Sequence, residues 1–200
     1  SYEKYWDDIN PFIKFGYMKD DKFKAKMKDY IIYKDLNDKY LSLKDYLEEC
    51  KDKHENKVFY VTDEVQQAQY INMFKEQDMN AILLNMNIDQ PFISIVEEDE
   101  KDVEFYRIDT EIADVFKEEV SEDDAKVLEA QTKTLTDLFK KALNRAALIV
   151  KVEKLKNAET SVMITLKEES RRMQDMMRMY AANGLGAMDM NMFGADQTLT

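Results

Sequence analysis

The chain predicts an α/β fold, α+β overall. A small three-stranded parallel α/β/α domain, preceded by helices, is followed by a domain of one helix, antiparallel strands and an amphipathic helix. Three observations predict it. Strand-like and helix-like patterns alternate through residues 58–108, as a parallel sheet with helical crossovers requires. The stretch from Glu97 to Asp124 holds 14 acidic and three basic residues, and so nearly all of the net charge of −12. Beyond it the pattern changes to a long helix, alternating strands and a methionine-rich helix. The boundary falls near 117–121, which gives domains 1–118 and 119–200.

Tyr5, Trp6, Ile9, Ile13 and Phe15 recur at near-helical intervals between Tyr2 and Gly16. Pro11 predicts a kink or restart there, and Gly16 a C-cap. A second helix is predicted from Asp21 to Ile32, with Phe23, Met27, Tyr30 and Ile31 on one face. Ser42 and Asp45 form a capping-box pattern that opens a short helix through Leu43, Tyr46, Leu47 and Cys50. Val58 to Val61 is rich in β-formers and reads as a strand. Val65, Ala68, Ile71 and Phe74 return to helical spacing. Ala81 to Leu84 is a continuous apolar run, the mark of a strand buried on both faces. Ile88 to Val96 reads as a helix and Val103 to Ile108 as the third strand.

Ser121 and Asp124 repeat the capping pattern at the head of a helix reaching Leu143, with Leu128, Leu135, Leu138, Phe139 and Ala142 on its apolar face. Leu148, Val150 and Val152 alternate with Ile149, Lys151 and Glu153; Val162, Ile164 and Leu166 follow a turn at Asn157 to Thr160. The two stretches predict an antiparallel hairpin. Thr165 and Glu168 cap a helix that Asn183-Gly184 ends, and residues 185–194 alternate as one further strand.

Composition limits the function. The hydrophobic fraction of 44% is enough for real cores despite 35% charged residues. The acidic balance argues against nucleic acid and against an anionic membrane surface. No apolar run is long enough to span a bilayer, and residues 1–30 lack a signal-peptide core. The single cysteine, Cys50, fits a reducing compartment. These features predict a soluble, cytoplasmic protein.

No catalytic constellation emerges. The turn after the first predicted parallel strand, Thr62-Asp63-Glu64-Val65, has no glycine and two acids where a phosphate would sit, so nucleotide binding there is disfavoured. His54, the only histidine, lies in a polar turn and reads as a solvated surface residue. Cys50 reads as a buried structural thiol. The acidic run lacks the glycine and the spacing of a calcium loop, so no metal site is assigned.

Methionine is the informative residue: eight of 13 lie in the last 38 positions. Leu166, Met173, Met176, Met177 and Tyr180 share one helical face, flanked by Met179, with Arg171, Arg172, Asp175 and Arg178 opposite. A Met-rich face adapts to many shapes and suits promiscuous binding. The plain alternative is an amphipathic helix docked as core.

Several stretches, in order, resemble one family. They are Tyr5 to Gly16 with its lysine–x–glycine end, Ser42-Leu43-Lys44-Asp45-Tyr46, Val58 to Thr62, Ala81 to Leu84 followed by Ile88-Asp89, and Thr160 to Gly184. The family is the 90-kilodalton heat-shock chaperones, most closely the bacterial HtpG-like form. Two places depart from it. Gly194 to Gln197 lacks the family's proline and histidine, and Glu97 to Asp102 replaces a glycine-containing turn.

The resemblance implies a fragment: the end of the middle domain and the start of the C-terminal domain, stopping before the dimerisation helices. It implies a homodimeric, ATP-dependent parent whose ATP and Mg bind in an N-terminal domain absent here. This chain would then be monomeric, without cofactor and not an enzyme. Its partners would be unfolded or partly folded clients and co-chaperones. Client contact would fall on Met173, Met176, Met177, Met179 and Tyr180, and on Phe92 as an exposed aromatic of the middle domain. The alternative function is a structural module that positions neighbouring domains without touching clients.

Overall fold

The computed structural model describes residues 2–110, 120–143, 149–150, 152, 154, 164–166, 171–173, 176 and 197–199. It divides into two compact units, residues 1–108 and 109–200. The boundary expected near 117–121 falls largely outside the described residues.

The first unit opens with α1 (Tyr2–Lys19), one helix that runs through both Pro11 and Gly16. Pro11 has no N–H to give the Asp7 carbonyl, one turn back. The Asn10 side chain replaces it, its Nδ2 donating to the carbonyls of Asp7 at 3.1 Å and Trp6 at 3.0 Å. That substitution is why the expected restart does not occur. Gly16 is not a C-cap either: it lies within α1, where a Cβ would come within 2.9 Å of the Phe23 ring. The missing side chain lets α2 (Asp21–Met27) pack onto α1.

The second helix is shorter than its periodicity suggests. After α2 the chain makes one 3₁₀ turn, Lys28–Tyr30, then β1 (Ile32–Lys34) and β2 (Tyr40–Ser42), an antiparallel hairpin. Asp35 organises its turn. Its Oδ1 accepts from the backbone N–H groups of Asn37 and Lys39, both at 2.8 Å, and its Oδ2 accepts from Asn80 Nδ2 at 2.9 Å. Asp38 takes the left-handed conformation, with φ 61°.

The capping box at Ser42 and Asp45 is formed and opens α3 (Leu43–His54). The predicted alternation then appears as β3 (Lys57–Val61), α4 (Ala68–Glu76), β4 (Ile82–Leu83), α5 (Asp89–Asp99) and β5 (Glu104–Arg107). The three strands form a parallel sheet in the order β4-β3-β5. An isolated antiparallel bridge from Asp35 to Ile82 joins the hairpin to the edge strand β4.

Central β3 is buried on both faces, as its composition requires. Val58 and Tyr60 join the main core with Trp6, Tyr33, Phe92 and Phe105. Phe59 packs edge-on against Phe74 and His54 on the other face.

In the second unit α6 (Glu122–Leu143) is capped by Ser121, whose Oγ accepts from the Asp124 N–H at 3.2 Å. Leu135 and Phe139 pack on buried Val150. The strands are β6 (Ile149–Val150), β7 (Ile164–Leu166) and β8 (Gln197–Leu199). Their order is β6-β8-β7, with β7 antiparallel and β6 parallel to β8. The predicted strands near 150 and 164 are therefore not hairpin partners. A strand from later in the chain sits between them. The further strand expected over 185–194 lies outside the described residues.

Candidate functional site

The methionine-rich segment is helical at residues 171–173 and 176. Met173 and Met176 are 50% and 52% exposed, whereas Arg171 is only 1% exposed. Residues three apart are neighbours on a helix surface, and residues two apart point roughly opposite ways. The segment therefore turns its two methionines outward together and its arginine inward. That reverses the usual amphipathic order, in which the charge faces water. Met177, Met179 and Tyr180 lie outside the described residues.

Phe92 is a correction. Its side chain is 0% exposed. The ring packs edge-on against Tyr17 at 5.3 Å between centroids and lies 6.5 Å from Tyr33, with the Lys14 ammonium 5.6 Å from its centre. A folded first unit cannot offer this ring to a partner. Pro91, Ser94, Glu98 and Asp99 take the exposed positions of α5. The helical spacing of Phe92 with Ile93 and Val96, all three buried, is the signal that marks it as core.

The loop after β3 is closed to phosphate. The N–H groups of Thr62 and Asp63 donate to Gln67 Oε1 at 2.8 and 3.1 Å, and those of Val65 and Gln66 donate to Asp63 Oδ1 at 3.0 and 2.9 Å. Backbone donors that would cradle a pyrophosphate are used internally.

His54 is a second correction. It is the last residue of α3, buried between the Tyr46 and Phe59 rings. Its Nδ1 lies 2.6 Å from the Lys57 carbonyl, which can only accept, so Nδ1 carries the proton. Burial holds the imidazole pKa below its ordinary value, partly countered by that hydrogen bond. Cys50 is buried as expected, and burial pushes its thiol up to about 11, which keeps it protonated and unreactive.

Parts of the acidic run serve as anchors. Glu97 Oε1 accepts from the Phe105 N–H at 2.7 Å. Asp99 accepts from Tyr17 Oη and Lys24 Nζ, each at 3.0 Å. Among the described residues, no three His, Cys, Asp or Glu side chains converge as a metal site. Among the same residues, no helix is long and apolar enough to cross a membrane.

A parallel three-stranded sheet behind two aromatic helices, with a methionine-bearing helix in a second unit, matches the architecture that the sequence motifs imply. The comparisons agree. The model of the Hsp90 protein family matches residues 1–199. The chain belongs to the Hsp90 family.

A chaperone protein HtpG of Bacteroides fragilis is 28% identical over 191 residues, covering 90% of this chain and 28% of that protein. HtpG of Bacteroides thetaiotaomicron is 25% identical, with the same coverage. HtpG of Porphyromonas gingivalis is 26% identical over 187 residues, covering 88% of this chain and 27% of that protein. The chain thus spans little more than a quarter of the length of these curated relatives. A solved Plasmodium falciparum chain, described as the middle domain of a heat shock protein, aligns with TM-score 0.43 and 17% identity over 54% of this chain and 47% of that one. That likeness is too loose to add to the family assignment.

Proposed function

We propose that this chain is the client-handling portion of an ATP-dependent molecular chaperone. It holds unfolded or partly folded protein through the apolar face that carries Met173 and Met176; Met177, Met179 and Tyr180, outside the described residues, are proposed contacts from the sequence. The outward placement of the first two methionines, with Arg171 buried, carries the reading. Exposed thioethers on adjacent helical positions offer an adaptable apolar surface that suits many clients and binds each weakly.

ATP and magnesium belong, in this proposal, to other parts of a homodimeric, cytoplasmic parent that also meets co-chaperones. The chain by itself is monomeric and does not hydrolyse ATP. A purely structural module would need these methionines covered, and their exposure favours client contact instead.

The test is Met173→Ser with Met176→Ser, and binding of a permanently unfolded model polypeptide read by fluorescence anisotropy. The expected loss is about tenfold in affinity, roughly 1.4 kcal/mol. The melting transition should stay in place, because exposed substitutions usually change stability by less than about 0.5 kcal/mol. Unchanged affinity contradicts the reading. A chain that no longer folds supports the structural module.

A further inference from the structure

Seven methionines lie among the described residues, and their access to solvent differs. Met73 and Met79 are buried, Met18, Met27 and Met86 are half-buried, and Met173 and Met176 alone of the seven are exposed. The one thiol of the chain is a poor competitor for an oxidant. Cys50 is buried, and with its pKa pushed up to about 11 it carries almost no thiolate at neutral pH. The sulfur most open to reagents among the described residues is therefore a pair of thioethers. They lie three residues apart, as neighbours on one helix surface.

We propose that Met173 and Met176 form a reversible oxidation site, at which a peroxide switches the client-holding face off and thiol-dependent reduction switches it back on. The inference rests on the client-binding reading given above and adds its control. In the forward step a sulfur lone pair attacks one oxygen of hydrogen peroxide. The S–O bond forms as the O–O bond breaks, and the leaving hydroxide takes the proton of the transferred oxygen and departs as water. Each thioether loses two electrons and the peroxide gains them. In the reverse step two thiols supply two electrons and two protons, the sulfoxide oxygen leaves as water, and the thiols become a disulfide. Methionine sulfoxide reductases, one for each sulfoxide epimer, carry out this reversal. Oxidation replaces a flexible apolar side chain with a polar one, so two sulfoxides side by side remove the adaptable apolar surface. Neither side chain is buried, so the fold tolerates the change.

The experiment treats the 200-residue chain with hydrogen peroxide and follows each methionine by mass spectrometry of tryptic peptides. Met173 and Met176 should gain an oxygen atom about tenfold faster than Met73 and Met79, because susceptibility follows exposure. Equal rates, or faster oxidation of Cys50, overturn the site. Binding of a methionine-free, permanently unfolded polypeptide is then read by fluorescence anisotropy. Oxidation should weaken it about tenfold with the melting transition in place, and reductase with dithiothreitol should restore it. An untreated chain that binds no client overturns the chaperone reading and this inference with it. An untreated chain that binds, followed by an oxidised chain that binds equally well, overturns this inference alone. A lowered melting transition on oxidation marks a core lesion and overturns it too. Met173→Leu with Met176→Leu, compared with itself before and after peroxide, should change by less than about twofold. A loss as large as that of the unaltered chain places the sensitive sulfur elsewhere and overturns the assignment.

Discussion

Lys14 of α1 and Asp89 of α5 form a buried ion pair at 2.5 Å, with side-chain exposures of 5% and 2%. Asp89 is satisfied on both oxygens, since Oδ2 also accepts from the Met86 N–H at 2.9 Å. The pair joins the opening helix to the head of the last crossover helix, directly beside the Phe92 ring.

Breaking this pair from one side leaves a buried charge without its counterpart. Lys14→Met should cost about 3–5 kcal/mol, and Lys14→Met with Asp89→Asn should recover much of that loss. Urea denaturation of the two variants, read by tryptophan fluorescence, checks both values. A single variant as stable as the parent would show that the pair contributes little.

Tyr46 holds the core in a comparable way. Its buried hydroxyl donates to the Asn80 carbonyl at 2.8 Å and accepts from the Phe59 N–H at 3.2 Å. Burial raises the phenol pKa well above its ordinary value, so the hydroxyl stays protonated and able to donate. Tyr46→Phe removes one oxygen and leaves two backbone groups unpaired, at a cost of about 1–3 kcal/mol. Chemical denaturation measures it.

Stability should fall with mild acid because of His54. Its folded pKa lies below the ordinary 6.5, so the unfolded chain takes up the proton first. The stabilisation is fully present above 6.5, is lost as pH falls from there toward the folded value, and is constant once both states are protonated. The buried Nε2, without a hydrogen-bond partner, gives an added proton no acceptor. Thermal melts from pH 7.5 to 5 should show this slope, and His54→Phe should flatten it.

Glu55 ends α3 with φ 50° and ψ −119°, a conformation that penalises a side chain. Glu55→Gly should therefore raise stability by about 1 kcal/mol, the relieved strain exceeding the entropic cost of glycine. A shift of the denaturation midpoint to higher urea with unchanged slope is the expected outcome.

The parallel sheet was legible because Val58–Val61 and Ala81–Leu84 are short apolar runs between helical periods, as burial on both faces demands of the central strand. The capping box at Ser42 and the N-cap at Ser121 were legible because capping is local chemistry. The continuous α1 was not, because its passage through Pro11 depends on the Asn10 side chain replacing a hydrogen bond. The β1–β2 hairpin leaves one local mark, the turn signal Asp35-Leu36-Asn37-Asp38 between two apolar stretches. The helical period read through Phe23, Met27, Tyr30 and Ile31 masked it. Partner choice among β6, β7 and β8 is a tertiary fact, and alternation alone does not reveal which strands meet.

Of the proposed client residues, composition singled out the methionines, and Met173 and Met176 are exposed. Phe92 is implied only by the family resemblance, and its place on the buried face of α5 removes it. The Lys14–Asp89 pair, 75 residues apart in sequence, left no trace in spacing.

Amide hydrogen exchange over the whole chain, with and without an unfolded model client, tests the central claim most directly. Client binding through the methionine face predicts slowed exchange in residues 165–180 on adding client, with the parallel-sheet unit unchanged. Slowing confined to residues 1–108, or no slowing at all, would contradict it.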